Sequence, residues 1–292
     1  MGGPKGRDIG NGRGFDEDAF LAAYDKVMAK WPADREAVTV PTPFGTAYVQ
    51  VCGPSSGPPL LLLPGGGAAA ASWYAQVGEL ARTRRVYAVD PPGVAGRGTV
   101  DRPPSTASDL TAWLGAVLDG LGVRRVDLGG HSYGGWIALR FALDVPDRVR
   151  RLFLLDPTQC FAGYKAAYLM RALPMLLRPT PRRVRAFLEW ETGGVPLDPD
   201  WLRLQEAAAG FPSVKPVTGP RPSAAELRTL DVPVLLLLAG SSRTHDTYEA
   251  ARRARAVLPH GDTEILPEIS HHALPQAAPP GMTGRLNSFL TT

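Results

Sequence analysis

The chain has 292 residues, of which 44% are hydrophobic and 21% charged, with a formal net charge of +4. That length suits one α/β domain carrying an insertion, and the hydrophobic fraction is too high for a disordered chain. The positive balance does not point to nucleic acid as a partner, because no dense basic run with interleaved aromatics occurs; with only five lysines beside 27 arginines and 29 prolines, the composition reads instead as a GC-rich coding bias.

Residues 1–14 are polar and glycine-rich and read as a disordered leader. They hold no apolar stretch of the kind a secretory signal needs, so a cytoplasmic protein is expected. Phe20, Tyr24, Val27 and Met28 fall near helical spacing and predict a helix over 16–30. Val38-Thr39-Val40 and the run 46–51, flanking Pro43-Phe44-Gly45, predict a β-hairpin. A strand–helix rhythm then begins. Strands are expected at 60–63, 86–89, 126–129 and 152–155, with helices near 72–82, 107–121 and 135–143 between them. Continuous apolar strands alternating with helices predict a parallel sheet covered on both faces. The rhythm stops at Pro157, and the stretch to about 228 is helical, proline-broken and aromatic. It resumes with a strand at 234–238, a helix near 248–258, a strand at 263–266 and a helix near 284–290. The expected organisation is a core of 15–156 and 229–292 with a helical lid at 157–228 inserted after the sixth strand. Apolar runs such as 234–239 are too short to cross a bilayer, so no membrane partner is expected. Cys52 and Cys160 form no C-x-x-C pair and lie in no metal-ligand spacing, which predicts two free buried thiols and no metal site.

The stretch Gly130-His131-Ser132-Tyr133-Gly134 spells G-x-S-x-G between an expected strand and an expected helix. That context makes it a nucleophile elbow, in which a sharp turn lifts the serine oxygen above the sheet edge. A serine hydroxyl is a weak nucleophile and needs a base within hydrogen-bond reach and a third group to orient that base. The chain order of this architecture puts the base after the last strand, where Ser270-His271-His272 stands, and His271 is preferred over His272. His131, inside the elbow, is expected to line the pocket or pack against the strand ends. The oxyanion hole needs backbone donors, one at Tyr133 directly after the serine and one from the loop Pro64-Gly65-Gly66-Gly67, where Gly66 is favoured and Gly67 is the alternative.

On these pieces the chain resembles the α/β-hydrolases, and within them the carboxylesterase-like branch with a PGGG-type oxyanion loop. The matching stretches are Leu63-Pro64-Gly65-Gly66-Gly67, Ser72-Trp73-Tyr74, Tyr87-Ala88-Val89-Asp90, Gly93-Val94-Ala95-Gly96-Arg97-Gly98, the run from Gly130 to Trp136, and Ser270-His271. The resemblance implies an eight-stranded, mostly parallel sheet with helices on both faces, a variable helical lid and no cofactor. It also implies an acid three positions after the glycine that ends the seventh strand, but Arg243 stands there. Asp156, directly after the sixth strand, is the preferred replacement and Asp246 the alternative; Asp156 before Pro157 would equally suit a helix cap.

The expected activity is hydrolysis of a carboxylic ester through an acyl-enzyme (EC 3.1.1), with Ser132, His271 and Asp156 catalytic and Gly66 and Tyr133 donating to the oxyanion. The partner is a small-molecule or peptide-derived acyl substrate, and a place in secondary-metabolite tailoring fits by analogy. Cleavage of an amide or peptide bond, iminopeptidase-like or in natural-product peptide maturation, is the first alternative. A non-catalytic binding protein of the same fold is the second, suggested by Arg243.

Overall fold

A computed structural model describes residues 15–277, 279 and 281–291; the leader expected at 1–14 lies outside the described residues. In chain order the elements are α1 (Glu17–Met28), β1 (Glu36–Thr42), β2 (Gly45–Cys52), β3 (Pro59–Leu63), α2 (Tyr74–Leu80), β4 (Arg85–Val89), α3 (Ala107–Gly120), β5 (Val126–His131), α4 (Ser132–Asp144) and β6 (Val149–Leu155). Four helices follow: α5 (Ala166–Leu177), α6 (Pro181–Glu191), α7 (Pro199–Ala207) and α8 (Ala224–Arg228). The chain closes with β7 (Val234–Ala239), α9 (Thr247–Val257), β8 (Gly261–Leu266), α10 (Leu274–Ala277) and α11 (Met282–Thr291).

The strands form one eight-stranded sheet in the order β1-β2-β4-β3-β5-β6-β7-β8. Only β2 runs against its neighbours, pairing antiparallel with both β1 and β4. The pairs from β4 to β8 are all parallel. Alternation along each central strand divides the core into two layers. Leu61 and Leu63 of β3, Leu152 and Leu154 of β6 and Leu236 and Leu238 of β7 face one side, where they meet Leu110 and Trp113 of α3, Ile137 of α4 and Ala251 of α9. Leu60 and Leu62, Phe153 and Leu155, and Leu235 and Leu237 face the other, against Tyr24 of α1, Val77 of α2 and Leu286 of α11. Strands buried on both faces favour apolar residues, which is why the runs 60–63, 152–155 and 234–238 are unbroken leucine, valine and phenylalanine. Cys52 and Cys160 are both buried and free.

The helix expected near 72–82 begins as a 3-10 turn at Ala70–Trp73 before α2. Asp90, just past β4, sets that start: its Oδ1 accepts the Ala70 amide at 2.8 Å and its Oδ2 accepts the Arg97 amide at 2.9 Å. Helices α5 to α8 lie between β6 and β7; α5, α6 and α7 carry a small core built on Ala172, Phe187, Leu188, Trp201 and Leu202, while Leu227 of α8 joins the main core.

Candidate active site

Strand β5 ends at His131 and helix α4 starts at Ser132, with no residue between them. So abrupt a reversal forces Ser132 to φ 54, a left-handed backbone that is costly for a side-chain-bearing residue. The close approach also requires its neighbours to be bare. A Cβ on Gly130 would lie 2.4 Å from the Gly134 carbonyl oxygen, and one on Gly134 would lie 2.3 Å from the Pro64 carbonyl oxygen. Both motif glycines are therefore fixed by contact, and Ser132 stands at the C-terminal edge of the parallel strands, where such sheets gather ligands.

Three residues far apart in sequence converge on that edge. Ser132 Oγ lies 2.8 Å from His271 Nε2, and His271 Nδ1 lies 2.7 Å from Asp156 Oδ2. A carboxylate only accepts, so Nδ1 carries the proton and Nε2 is left to accept from the serine hydroxyl. His271 follows β8 and is fully buried, as is Asp156, which follows β6; Ser132 is 8% exposed. Asp156 itself has φ 41, so the backbone is strained at this second strand end as well. The side chain of Asp156 caps no helix, since α5 begins only at Ala166. Instead its Oδ1 accepts the Ala239 amide at 3.0 Å from the end of β7.

A second imidazole meets the same carboxylate. His245 Nε2 is 3.1 Å from Asp156 Oδ1, and both side chains are buried. Burial alone would raise the Asp156 carboxyl, but His245 first, and then His271, hold it well below the ordinary carboxylate range. The alternative acid, Asp246, is exposed and caps α9, accepting the Glu249 amide at 2.9 Å. Arg243, at the position where the resemblance implies an acid, lays its guanidinium over the Trp190 ring at 5.0 Å.

The loop that carries His271 is pinned from two sides. His131 Nε2 donates to the His271 carbonyl oxygen at 3.0 Å, and the two rings lie 4.8 Å apart. Burial, then the neighbouring His271 and His272, push His131 well below its usual pKa, so it sits neutral. On the other side stands Glu191, the last residue of α6. Its Oε1 accepts the amides of His271 at 3.2 Å and Arg243 at 3.4 Å, and its Oε2 accepts the amide of His272 at 3.0 Å. His272 points away from Ser132 toward Tyr168, whose hydroxyl lies 3.3 Å from its Nε2. Burial lowers His272 to about 4, against the opposing pull of Glu191.

Gly66 faces the residue after Ser132: a Cβ there would lie 3.5 Å from Tyr133 Cβ. Tyr133 is the second residue of α4, whose first amides have no carbonyl of their own helix to donate to. The Tyr133 hydroxyl is turned away, donating to the Val217 carbonyl oxygen at 2.9 Å. Gly67, the alternative donor, has φ +74 and open space around its missing Cβ.

Sequence reasoning singled out neither His245 nor Glu191 for this site. His245 carried a weak signal, since it stands in the loop after the seventh strand where an acid partner was sought. Glu191 carried none, because nothing in the sequence ties the end of an inserted helix to a loop 80 residues later.

The model of the alpha/beta hydrolase family matches residues 60–282. The chain is 30% identical over 286 residues to carboxylesterase YbfK of Bacillus subtilis, covering 93% of each. The crystal structure of that esterase, also called CesB, superposes with a TM-score of 0.87, covering 94% of this chain and 98% of the other at 29% identity. Naproxen esterase (carboxylesterase NP) from Bacillus subtilis superposes with a TM-score of 0.86 at 26% identity, covering 94% of this chain and 98% of the other.

Proposed function

The chain belongs to the α/β hydrolase family, and we propose that within it this protein hydrolyses carboxylic esters of small molecules through an acyl-enzyme on Ser132. The observation that carries the reading is the unbroken contact from Ser132 Oγ through His271 to Asp156, at 2.8 and 2.7 Å. Carboxylesterases at 30% and 28% identity over most of the chain support an ester ahead of an amide.

In this mechanism His271 Nε2 takes the hydroxyl proton as Ser132 Oγ attacks the ester carbonyl carbon. The carbonyl π pair moves onto oxygen, and the amides of Gly66 and Tyr133 donate to that oxyanion. Collapse re-forms the carbonyl and breaks the bond to the alkoxide, which leaves with the proton from His271. Water then attacks the acyl-enzyme, giving its proton to His271, and the second collapse releases the acid and returns the proton to Ser132. Asp156 holds the Nδ1 proton throughout and stabilises the imidazolium that forms twice per turnover. His245, on the other oxygen of Asp156, helps to keep that carboxylate ionised.

Ser132→Ala tests the reading. The variant should lose both turnover of a p-nitrophenyl ester and covalent labelling by a fluorophosphonate probe, while the parent shows a product burst matching the labelled fraction. Undiminished turnover in the variant would overturn the covalent route.

A further inference from the structure

The most anomalous surface of the molecule is the outer face of α5. Among the described residues, seven large hydrophobic side chains are exposed, and five of them are on this helix: Leu169 at 47%, Met170 at 70%, Leu173 at 50%, Leu176 at 66% and Leu177 at 72%. Their spacing of i, i+1, i+4, i+7 and i+8 places them on one arc about 120° wide. The helix already has a buried side, where Ala172 is covered and Tyr168 and Met175 pack on the inserted core. The exposed arc is therefore a second apolar stripe with no partner among the described residues.

The stretch of chain that carries it has one sign of charge. Between Asp156 and Glu189 the sequence has one lysine and five arginines and no carboxylate. Elsewhere the arginines meet acids, as Arg84 and Arg150 meet Asp127, Arg97 meets Asp25, Arg140 meets Glu226 and Arg148 meets Asp119. Here Arg185 alone does so, at Glu206 and Glu189. Arg171 lies over the Trp190 ring, and Arg183 donates to the carbonyl oxygens of Pro174 and Arg178. Among the described residues, Arg171, Arg178, Arg182 and Arg183 have no carboxylate partner.

We propose that α5 is a docking face for a lipid surface bearing anionic headgroups, its leucines and methionine entering the acyl boundary and the unpaired guanidiniums meeting phosphate. Unburied apolar area on α5 and uncompensated positive charge at its C-terminal end and in the first turn of α6, from Arg178, Arg182 and Arg183, are both satisfied by such a surface. The chemistry of the face favours a fluid partner over a shaped protein. From 165 to 179 it offers leucine, methionine, alanine, proline, lysine and arginine and one tyrosine, with no serine, asparagine, glutamine or acid to make directed hydrogen bonds. The 12 residues of α5 span about 18 Å, too short to cross a bilayer, so the helix lies in the plane of the interface. The absence of an apolar run long enough to span, on which no membrane partner was expected, does not bear on this mode. The inner face of the same helix reaches the loop of His271 through Tyr168 and His272, so a docked α5 sets the candidate active site against the interface.

Flotation with liposomes tests this, using phosphatidylcholine alone and phosphatidylcholine mixed with phosphatidylglycerol. The parent protein should float with the mixed vesicles, remain behind with the neutral ones, and be released by salt. Leu176→Ser with Leu177→Ser should weaken partitioning by about tenfold or more, the order expected for losing two partly buried leucines. Arg178→Ala with Arg182→Ala should weaken it by about fivefold for each charge removed. These side chains are exposed, and unchanged circular dichroism and melting would show that the variants fold. Ser132→Ala should float like the parent, which separates this proposal from the esterase reading. Failure of the parent to float, or floating unaffected by both double variants, would overturn it. So would light scattering that shows a dimer dissolved by the leucine changes, since the face would then be covered by a second copy of the chain.

Discussion

Asp156 has an imidazole on each oxygen: His271 on Oδ2 at 2.7 Å and His245 on Oδ1 at 3.1 Å. A buried carboxylate without such company would be driven neutral, and a neutral acid could not hold His271 in the tautomer that accepts from Ser132. The change that tests its role is Asp156→Asn, which keeps the shape and removes the charge. By the precedent of serine proteases, kcat should fall by about 10⁴ with the fold retained. Asp246→Asn is the control from the neighbouring strand. It exchanges one good helix cap for another, so ester turnover should stay within about twofold of the parent. Steady-state kinetics on both variants, normalised by fluorophosphonate titration, separate the two; a large loss in Asp246→Asn would reverse the assignment of the acid. Asp156 also bears on pH. Its folded pKa is depressed, so the stability it contributes is fully present above the ordinary carboxyl value and lost only as pH falls through the much lower folded value. Loss of activity in mild acid should therefore not follow protonation of this carboxylate.

At the scale of elements, α6 holds the loop after β8 by hydrogen bonds to one buried carboxylate, beside an edge-on contact of Phe187 with His272 at 5.5 Å. Glu191 is 1% exposed and satisfies three backbone amides, two of them in the loop that carries His271. Beside it, between residues 192–198 and the same loop, is a cavity of about 330 Å³ lined by Leu197, Arg243, Ile269 and Ala273, so packing alone does not clamp these segments together. Glu191→Ala should leave the amides unpaired and cost roughly 1–3 kcal/mol or more of stability. In the molecules that remain folded, counted by probe titration, kcat should drop by about tenfold or more with little change in KM, because misplacing the base slows the chemistry. Glu191→Gln, which restores an acceptor, should recover part of both; unchanged kcat per titrated site would show that the contact only holds the fold. The same pair of elements shows what the sequence made legible. The central strands could be read to within a few residues because burial on both faces demands unbroken apolar runs such as Leu60-Leu61-Leu62-Leu63, and the Ser132 turn could be read because its glycines are required by contacts as short as 2.3 Å. The short α10 and the partnerships of Glu191 and His245 could not. They depend on which loops meet at the sheet edge, and neither periodicity nor turn chemistry encodes a meeting between residues 80 positions apart.

For the whole molecule, the histidines gathered at the sheet edge set how the fold responds to acid. His272 is lowered from 6.5 to about 4, chiefly by burial, and His131 is lowered well below 6.5 for the same reason. A histidine with a depressed folded pKa contributes stability that is fully present above 6.5, where neither state is protonated. As pH falls below 6.5 the unfolded chain takes up protons that the folded chain refuses, so stability declines until the folded value near 4 is reached for His272. Each unit of such a shift is worth about 1.4 kcal/mol, so His272 alone accounts for roughly 3 kcal/mol across that window. Asp90 acts oppositely. Burial raises its carboxyl from 3.8 to about 6, so the folded state keeps a proton the unfolded chain has lost, and stability from this group declines as pH rises through that range. The shifts of His272 and Asp90 are similar in size and opposite in effect, so the depressed His131 tips the balance toward loss of stability in acid. The melting temperature should therefore fall steadily as pH is lowered from about 6.5 to about 4, beginning well above the range in which ordinary carboxylates titrate. His272→Gln, whose target side chain is partly buried and lies away from Ser132, should flatten that slope in calorimetric scans across the window. A slope unchanged in the variant would mean that His272 does not account for the loss, and a melting temperature flat from 6.5 to 4 in the parent would mean that the buried imidazoles are already charged in the folded protein.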